Sequence, residues 1–317
     1  MSGRYAAMGR QAAAGLEAWA RDAGADLRVE DDRSDPERSA ALTVAMAPSA
    51  DLLFGPYGSG PGRAVAAAMA GRPEVVWNHG AAAVEPRGGA RLIDVLGPAR
   101  SYWRGLPVIV GAEPVALVRA PGGFGEEVAA GAADALRAAG TPPVVHEVLR
   151  PGRADIAVAG AAAAGARWVA GGGRMEDDLE LARSAVAAGL VCALVVMGVA
   201  AARAELGDDV EGCAGPVQWD GGRRGWAFPL PAGADYPAAQ AAAAGMLAER
   251  ALRLAGGGGP DALWDAARGM RTATPLGPFA VDGEGRQIAH APAIVRWEPG
   301  PGGPVRRVVW RPAVGAP

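Results

Sequence analysis

The chain has 317 residues, a length that suits two domains of ordinary size, and half of its residues are hydrophobic, so each domain is able to bury a core. Its formal net charge is −3 and it has no basic cluster, which argues against nucleic acid and anionic membrane surfaces as partners. It contains no lysine, so Schiff-base chemistry and a Walker phosphate loop are excluded.

Helical and strand-like patterns alternate along the first two-thirds of the chain. The first run predicts helices over residues 6–23, 35–46 and 63–70 and strands over residues 27–30, 52–54, 74–78 and 91–96. After Gly97 the pattern restarts, with strands predicted over residues 115–119, 144–149, 167–170 and 191–197 and helices over residues 125–139, 154–164 and 177–188. Two successive β/α runs predict two α/β lobes, each a parallel sheet with helices on both faces.

The last third follows a different pattern. Helices are predicted over residues 236–255 and 260–270, separated by four glycines. Strands predicted over residues 279–281, 293–297 and 305–310 are separated by glycine-containing turns and indicate an antiparallel finish.

The sequence offers no constellation typical of catalysis or metal binding. His79, His146 and His290 are scattered and lack ligand spacing, so neither a metal nor a cofactor is predicted. Cys192 and Cys213 lie in apolar, strand-like surroundings; a disulfide stays open, and two buried free thiols are favoured. No apolar run reaches transmembrane length, and the first residues lack the apolar region of a signal peptide.

The most informative stretch is the GPYGSGPG motif of residues 55–62. It follows a predicted buried strand and precedes a predicted helix, so it places free backbone N–H groups and the Ser59 hydroxyl at a helix N-terminus. A site for a carboxylate or another anion is favoured over a plain structural turn. A nucleotide phosphate loop is a third alternative, but the spacing is not Gly-x-Gly-x-x-Gly.

Three further turns follow strands, where ligands of open α/β sheets collect. Residues 77–83 end a first-lobe strand, and His79 in this turn has either a structural hydrogen bond or a ligand contact. Phe124 begins the first helix of the second lobe and either contacts a ligand or packs in the core. Arg174 and Glu176 lie in the turn of residues 171–178, whose remaining acids favour a helix N-terminus electrostatically.

Seven segments in order carry a family likeness: residues 5–9, 30–36, 55–59, 124–126, 187–190, 215–219 and 276–282. On these segments the chain resembles the leucine/isoleucine/valine-binding type of periplasmic binding protein, the type I solute receptors of ABC importers. The resemblance implies two Rossmann-like α/β lobes, residues 1–99 plus 223–275 and residues 100–222 plus 276–317. It also implies a hinge of three crossing strands, near residues 97–102, 217–222 and 274–277.

The resemblance further implies a non-catalytic, monomeric receptor that closes about its hinge on a small amino-acid-like, amide or carboxylate ligand. Its partners would be the ligand and the membrane subunits of an ABC importer. In such a receptor Ser59, Gly80 and Ala82 hold a carboxylate or carbonyl, and Phe124 packs on the ligand from the other lobe. With their neighbours, the predicted ligand-binding residues are Tyr57, Ser59, Asn78, His79, Gly80, Ala82, Phe124, Arg174 and Glu176.

The sequence departs from the family pattern in three ways. The family's first strand and a signal peptide are both absent from the printed sequence, and a mis-assigned start codon would explain both. The carboxylate that pairs with a ligand ammonium should fall near residues 198–200, where this chain has Gly-Val-Ala, and the family's ligand threonine is Ala82. The stretch of residues 222–236 is shorter than usual. A zwitterionic amino acid is therefore a disfavoured ligand unless Glu176 or Asp177 substitutes for that carboxylate, because an unpaired ammonium in a dry site costs on the order of several kcal/mol.

Other functions stay open at this point. They are a cytosolic ligand sensor of the same fold, a degenerate homologue that binds nothing, and a Rossmann-type enzyme that uses residues 55–62 for a nucleotide. The family is extracytoplasmic, whereas the printed sequence shows no export signal, so the compartment also stays open.

Overall fold

The protein's structure is a computed structural model that describes residues 1–221, 226 and 228–313. The described residues fall into two compact units: unit 1 contains residues 1–98, 221, 226 and 228–290, and unit 2 contains residues 99–220 and 291–313. The predicted second hinge strand ends at Gly222, which lies outside the described residues.

In chain order, unit 1 begins with helix α1 (Ala6–Ala23), α2 (Pro36–Met46), strand β1 (Leu53–Phe54), α3 (Ser59–Ala68), β2 (Val76–Asn78) and β3 (Leu92–Asp94). Unit 2 follows with α4 (Leu106–Val110), β4 (Val115–Arg119), α5 (Gly123–Ala138), β5 (Val145–Val148), α6 (Ala154–Ala163), β6 (Trp168–Gly171), α7 (Met175–Ala187), β7 (Val191–Leu194), α8 (Ala201–Leu206) and β8 (Ala214–Val217). Unit 1 resumes with α9 (Tyr236–Ala255), α10 (Gly259–Gly269), β9 (Arg271–Thr274) and β10 (Gly277–Ala280), and unit 2 ends with β11 (Ala293–Glu298) and β12 (Val305–Trp310).

Local chemistry explains where two of the helices begin. Asp35 accepts the backbone N–H of Arg38 at 2.8 Å, which caps α2 and satisfies one of its free N–H groups, and Pro36 occupies the first turn. The side chain of Asp235 accepts the N–H of Tyr236 at the start of α9. The predicted Asp-Pro helix start is confirmed.

The sheets have the parallel β/α arrangement that the sequence predicts. In unit 1, β1, β2 and β3 pair in that order, all parallel. In unit 2 seven strands pair in the order β12-β11-β8-β7-β6-β4-β5, with β4 to β8 parallel and β11 and β12 antiparallel. The α/β fold with two Rossmann-like units is confirmed.

Each unit buries its own core. In unit 1, Val65 of α3 and Met69, just after this helix, belong to one buried cluster with Val76 of β2. A second cluster joins α1 to α9, where Trp19 is buried and its indole N–H donates to Glu249 at 3.1 Å. The core of unit 2 includes Val118 of β4. The predicted free thiols, Cys192 and Cys213, are both buried in the same core.

Two predictions about strands were wrong. Residues 27–30 are not a strand: within the described part of the chain the sheet of unit 1 ends at β1, and a strand forms only where a neighbour takes its backbone hydrogen bonds. The strand predicted at residues 279–281 does not join the tail. Its counterpart, β10, pairs antiparallel with β9, which the sequence analysis does not predict.

The pairing of β10 bears on the division of the chain. The family resemblance implies that residues 276–290 belong to the second lobe, whereas the structure groups them with unit 1. Contacts explain this grouping, since the carbonyl of Gly285 accepts the N–H of Asp94 at 2.9 Å and the Gln287 amide donates to the carbonyl of Val95 at 3.4 Å. Both partners lie at the end of β3 and just after it.

Candidate functional site

Two turns of unit 1 lie side by side where β1 and β2 end. Tyr57 and Gly80 form a parallel bridge beyond the strands, and the N–H of Gly58 donates to the carbonyl of Gly80 at 2.9 Å. The hydroxyl oxygen of Ser59 accepts the N–H of Ala83 at 3.1 Å. The predicted unit 1 residues Tyr57, Ser59, Asn78, His79, Gly80 and Ala82 therefore lie in two turns that contact each other.

Gly80 is required for this contact. A Cβ at Gly80 would lie 2.7 Å from the Tyr57 ring and 2.8 Å from the Tyr57 Cα, distances that real Cβ atoms do not show. A larger residue at this position would separate the two turns. A glycine here is a packing requirement that spacing alone does not reveal.

Helix α3 begins at Ser59, directly in this pair of turns. The first N–H groups of a helix have no acceptor within the helix, so those of Ser59 and Gly60 point out of its N-terminus. The Ser59 oxygen already accepts from Ala83, which leaves the hydroxyl hydrogen as a donor. Donors at a helix N-terminus favour an anion or a carbonyl oxygen.

Asn78 shapes the turn from inside. Its side chain is 1% exposed, and its amide nitrogen donates to the Ala81 carbonyl and to Asp94 Oδ1, both at 2.7 Å. Its amide oxygen accepts the N–H groups of Gly80 at 3.3 Å and Ala81 at 2.9 Å. With this side chain fully engaged, its contribution to a ligand site is to hold the backbone of residues 80 and 81 in place.

His79 is buried beside the same turn. Burial lowers its pKa from 6.5 to about 4, because a charged imidazolium is poorly solvated in the interior. Its Nδ1 has no hydrogen-bond partner among the described residues. The imidazole is therefore neutral near neutral pH and contributes no charge to the site.

In unit 2, Phe124 lies in the first turn of α5 and is half-buried. Its ring packs edge-on against Tyr102, with the ring centroids 5.8 Å apart. Tyr102 is buried, which raises its pKa to about 12, and its side chain hydrogen-bonds to Gln218. The Phe124 ring is thus held by a second aromatic ring that the sequence analysis does not single out.

Arg174 and Glu176 lie at the start of α7, in the turn after β6, and this turn packs against the turn after β4. A Cβ at Gly173 would lie 2.3 Å from the Ala120 Cβ. The guanidinium of Arg174 donates to both oxygens of buried Asp177, at 2.6 and 2.8 Å, and lies 3.6 Å from Glu176. Asp177 is consequently neutralised by a bidentate ion pair and is not free to receive an ammonium.

Asp178 has a structural role that its position in the sequence does not reveal. It is buried, and its carboxylate accepts the N–H of Val196 at 3.0 Å. Burial raises its pKa from 3.8 to about 7. The acidic run at the start of α7 signals a helix N-terminus, but the sequence does not distinguish the outward-facing Glu176 from the inward-facing Asp178.

The turn after β7 offers no carboxylate, as the sequence predicts. A Cβ at Gly198 would lie 1.9 Å from the carbonyl oxygen of Pro216, so this position accommodates no side chain. The Gly198 carbonyl accepts a hydrogen bond from Arg306 at 2.5 Å. The backbone of this turn is therefore engaged within unit 2.

A family model described as "Periplasmic binding protein" matches residues 1–303. The chain belongs to the periplasmic binding protein family. This confirms the resemblance, and a comparison with solved structures shows the same fold. No curated protein sequence matches the chain.

The solved structures that are similar to this chain include two aromatic-acid complexes and a leucine binding protein. A solute binding protein of an ABC transporter from Rhodopseudomonas palustris HaA2, in complex with p-hydroxybenzoic acid, has a TM-score of 0.80 and 17% identity, over 98% of this chain and 94% of that one. A second R. palustris solute binding protein, in complex with benzoate, has a TM-score of 0.75 and 20% identity, over 99% and 96%. The leucine binding protein LivK of Thermotoga maritima has a TM-score of 0.80 and 15% identity, over 98% and 97%.

Among residues 1–221, 226 and 228–313, no group of three or more His, Cys, Asp or Glu side chains is arranged to hold a metal ion. Within the same part of the chain, no helix has both the length and the apolar character needed to cross a lipid bilayer.

Proposed function

We propose that the protein is the solute-binding receptor of an ABC importer and that its ligand is a small aromatic carboxylate. It has no catalytic role in this proposal. The observation that supports a ligand with a carboxylate group is the pair of turns around Ser59. A hydroxyl donor and the first N–H groups of α3 lie together there, and the Ser59 oxygen is fixed by the N–H of Ala83.

The neutral state of His79 is consistent with this assignment. A carboxylate at the start of α3 would be bound by hydrogen bonds from uncharged donors and by the helix dipole, without a cationic side chain. In this proposal Gly80 and Ala82 line the site with their backbone and small side chains. Asn78 and Tyr57 support the two turns from behind, through Ala81 and through a hydroxyl contact with Tyr236 respectively.

The other end of the ligand is proposed to be uncharged. Asp177 is paired with Arg174, Glu176 lies 3.6 Å from the same guanidinium, and Gly198 accommodates no side chain. An ammonium group without an anionic partner costs on the order of several kcal/mol in a dry site. A free amino acid such as leucine is therefore a poorer candidate than an acid that lacks the ammonium.

The family resemblance implies that Phe124 contacts the ligand, and an aromatic ligand suits such a contact. Phe124, held by Tyr102, offers a ring that an aromatic ligand contacts edge-on or offset, which adds about 0.5–1.5 kcal/mol beyond area burial. Two structural relatives are in complex with p-hydroxybenzoic acid and benzoate, which supports this class of ligand. The similarity to LivK, which is named as a leucine binding protein, makes an amino acid the competing candidate ligand.

A thermal-shift screen separates these candidates. The panel consists of benzoate, 4-hydroxybenzoate, leucine, leucinamide, NAD and ATP. A ligand present at 100 times its Kd stabilises the folded state by about 2.7 kcal/mol, which a melting curve detects. We expect the aromatic acids to raise the melting temperature and leucine to leave it unchanged. Stabilisation by NAD or ATP would favour a nucleotide-using enzyme, and no stabilisation by any compound would favour a degenerate homologue.

Closure about a hinge, which the family resemblance implies, stays a prediction. If ligand binding favours a closed state, saturating benzoate should reduce the radius of gyration measured by small-angle X-ray scattering. Leucinamide at the same concentration serves as the control. Calorimetry first establishes that the ligand binds. If the radius of gyration then stays unchanged at saturation, closure is contradicted, whereas the binding assignment is not affected.

A further inference from the structure

A buried ion pair of unit 1 is joined to the turn of residues 80–83. The guanidinium of Arg87 donates to the carboxylate of Asp94, and the two side chains are only 4% and 10% exposed. Burial raises the pKa of Asp94 to about 6, so the carboxyl group is ionised at pH 7.5 and pairs with the guanidinium. Charged groups are costly to bury, so such a pair persists where its other polar atoms also have partners.

The guanidinium of Arg87 binds three segments of unit 1. Its Nη1 donates to the carbonyl of Leu92 in β3 and to the carbonyl of Glu284 in the turn after β10, both at 2.9 Å. Its Nε donates to Glu85 at 2.9 Å. With Asp94 as the fourth partner, these bonds fix the guanidinium, and the guanidinium fixes the Asp94 carboxylate.

Asp94 in turn holds the side chain of Asn78. Its Oδ1 accepts from the Asn78 amide nitrogen at 2.7 Å, and the same nitrogen donates to the carbonyl of Ala81 at 2.7 Å. The Asn78 amide oxygen then faces the N–H groups of Gly80 and Ala81, which donate to it at 3.3 and 2.9 Å. An amide turned by 180° would present its own N–H donors to these groups, so Asp94 helps to select the orientation that binds the turn.

The residue at position 94 has to accept two hydrogen bonds, one from Asn78 and one from Arg87. A carboxylate accepts on both of its oxygens, whereas an asparagine here would offer one accepting oxygen and one donating nitrogen. Arg87 also neutralises the carboxylate. No unpaired negative charge therefore lies near a site that is proposed to bind an anion.

We propose that Arg87 and Asp94 are positioning residues of the ligand site, which act through Asn78 on the backbone of Gly80 and Ala81. This inference rests on the proposed function, since it takes the turn of residues 80–83 as one wall of the carboxylate site. A pair that only stabilised unit 1 would change the free energy of unfolding. It would not alter the turn or the ligand affinity of the folded protein.

The first test is Asp94→Asn, which keeps the shape of the side chain but leaves either Asn78 or Arg87 without an acceptor. At pH 7.5 we expect the Kd of benzoate, measured by calorimetry, to rise by about fivefold or more, as the loss of one hydrogen bond predicts. We also expect NMR to show amide hydrogen exchange of Gly80 and Ala81 that is about tenfold faster or more, in the absence of any ligand.

Two controls accompany this variant. The amide of Arg38, which donates to Asp35 at 2.8 Å, belongs to the same unit and should exchange at an unchanged rate. Glu85→Gln is the matched variant, because half-exposed Glu85 binds Arg87 at Nε, whereas Asp94 binds it at Nη2. We expect Glu85→Gln to change the Kd by less than about twofold, as is usual for an exposed ion pair.

A double variant separates positioning from stability. Replacing a buried ion pair with apolar residues of similar volume is often neutral or stabilising for a fold. We therefore expect Arg87→Met combined with Asp94→Leu to fold, and still to bind benzoate more weakly and to exchange the Gly80 and Ala81 amides faster. A stable double variant in which neither quantity changes would overturn the proposal.

The action through Asn78 has its own test. Residues of one hydrogen-bond network have non-additive effects, so Asp94→Asn should change the Kd little once Asn78 is replaced with alanine. Equal losses of affinity with and without Asn78→Ala would overturn this route. If the unmodified protein binds no benzoate, the proposed function fails, whereas the exchange rates of Gly80 and Ala81 need no ligand and still decide whether Asp94 positions the turn.

Discussion

The Ser59 hydroxyl oxygen accepts the backbone N–H of Ala83 at 3.1 Å, and this bond joins the start of α3 to the turn after β2. It fixes the hydroxyl at a helix N-terminus, where its remaining hydrogen is able to donate. Both turns follow adjacent parallel strands, so the bond lies where ligands of open α/β sheets collect. The proposed carboxylate site depends on this pair.

Replacing Ser59 with alanine should weaken the binding of benzoate by about 10-fold or more, since a hydrogen bond to a charged group contributes about 1.5–3 kcal/mol. Isothermal titration calorimetry of Ser59→Ala against the unmodified protein measures this. The matched control is Ser49→Ala, which removes an exposed hydroxyl that bonds only the Met46 carbonyl. Equal losses in the two variants would contradict the role of Ser59.

Two glycines of the site should respond differently to alanine. Gly80→Ala places a methyl group against Tyr57 and should destabilise the fold by about 1–3 kcal/mol, as overpacking does. Gly60→Ala meets no atom within 4 Å, so stability should hold while the methyl group obstructs a ligand at the start of α3. Urea denaturation and benzoate calorimetry on both variants give the two readouts. Unchanged benzoate affinity in Gly60→Ala would place the ligand elsewhere.

The pKa of His79 should lie well below 6.5, the usual value for histidine. The chain has 3 histidines, and burial lowers the pKa of His79 to about 4. Since its pKa in the unfolded chain is near 6.5, the unfolded state binds more protons below that pH, and His79 should reduce stability as pH falls from about 6.5 to 4. An NMR titration of the imidazole C–H signals, assigned with His79→Gln, measures the pKa directly. A midpoint near 6.5 would contradict its burial.

Asp178 should lower the stability of the fold as pH rises, which is the opposite of the pH dependence expected for His79. Its folded-state pKa is about 7 against 3.8 when unfolded, so the folded state holds the extra proton and stability should decrease as pH rises from about 4 to 7. Asp178→Asn keeps the acceptor for the Val196 N–H and removes the ionisation. We expect its stability relative to the unmodified protein to increase between pH 5 and pH 8, by roughly 2–3 kcal/mol, because only the part of the pKa shift above pH 5 contributes over this interval.

Urea denaturation at pH 5 and pH 8 checks this expectation. Glu176→Gln is the control, because Glu176 is exposed and lies on the same helix turn. An equal pH response in Asp178→Asn and the unmodified protein would show that Asp178 is solvated.

Local signals in the sequence predict much of this structure. The turn at residues 55–62 and the helix cap at Asp35 are formed by glycine, proline and short polar residues that determine the local backbone conformation. Both features are therefore recognisable from the sequence before the fold is known. The order of helices and strands in both units follows from hydrophobic periodicity. The family resemblance adds the pairing of these segments into two units.

Features that depend on distant neighbours are not predicted. Residues 27–30 have a strand-like pattern, yet no neighbour pairs with them in the described structure, and β10 pairs with β9 and not with the tail. Asp177 and Asp178 are adjacent in sequence, but one is paired with Arg174 and the other lies against the N–H of Val196. Sequence spacing carries no information about either partner.

Calorimetric titration of benzoate and of leucine into the unmodified protein tests the central proposal most directly. We expect benzoate to bind with a stoichiometry near one and leucine to give no saturable heat, because the ligand's carboxylate has donors at Ser59 whereas an ammonium has no free carboxylate at residues 176–178 or 198–201. Tighter binding of leucine than of benzoate would contradict the proposal.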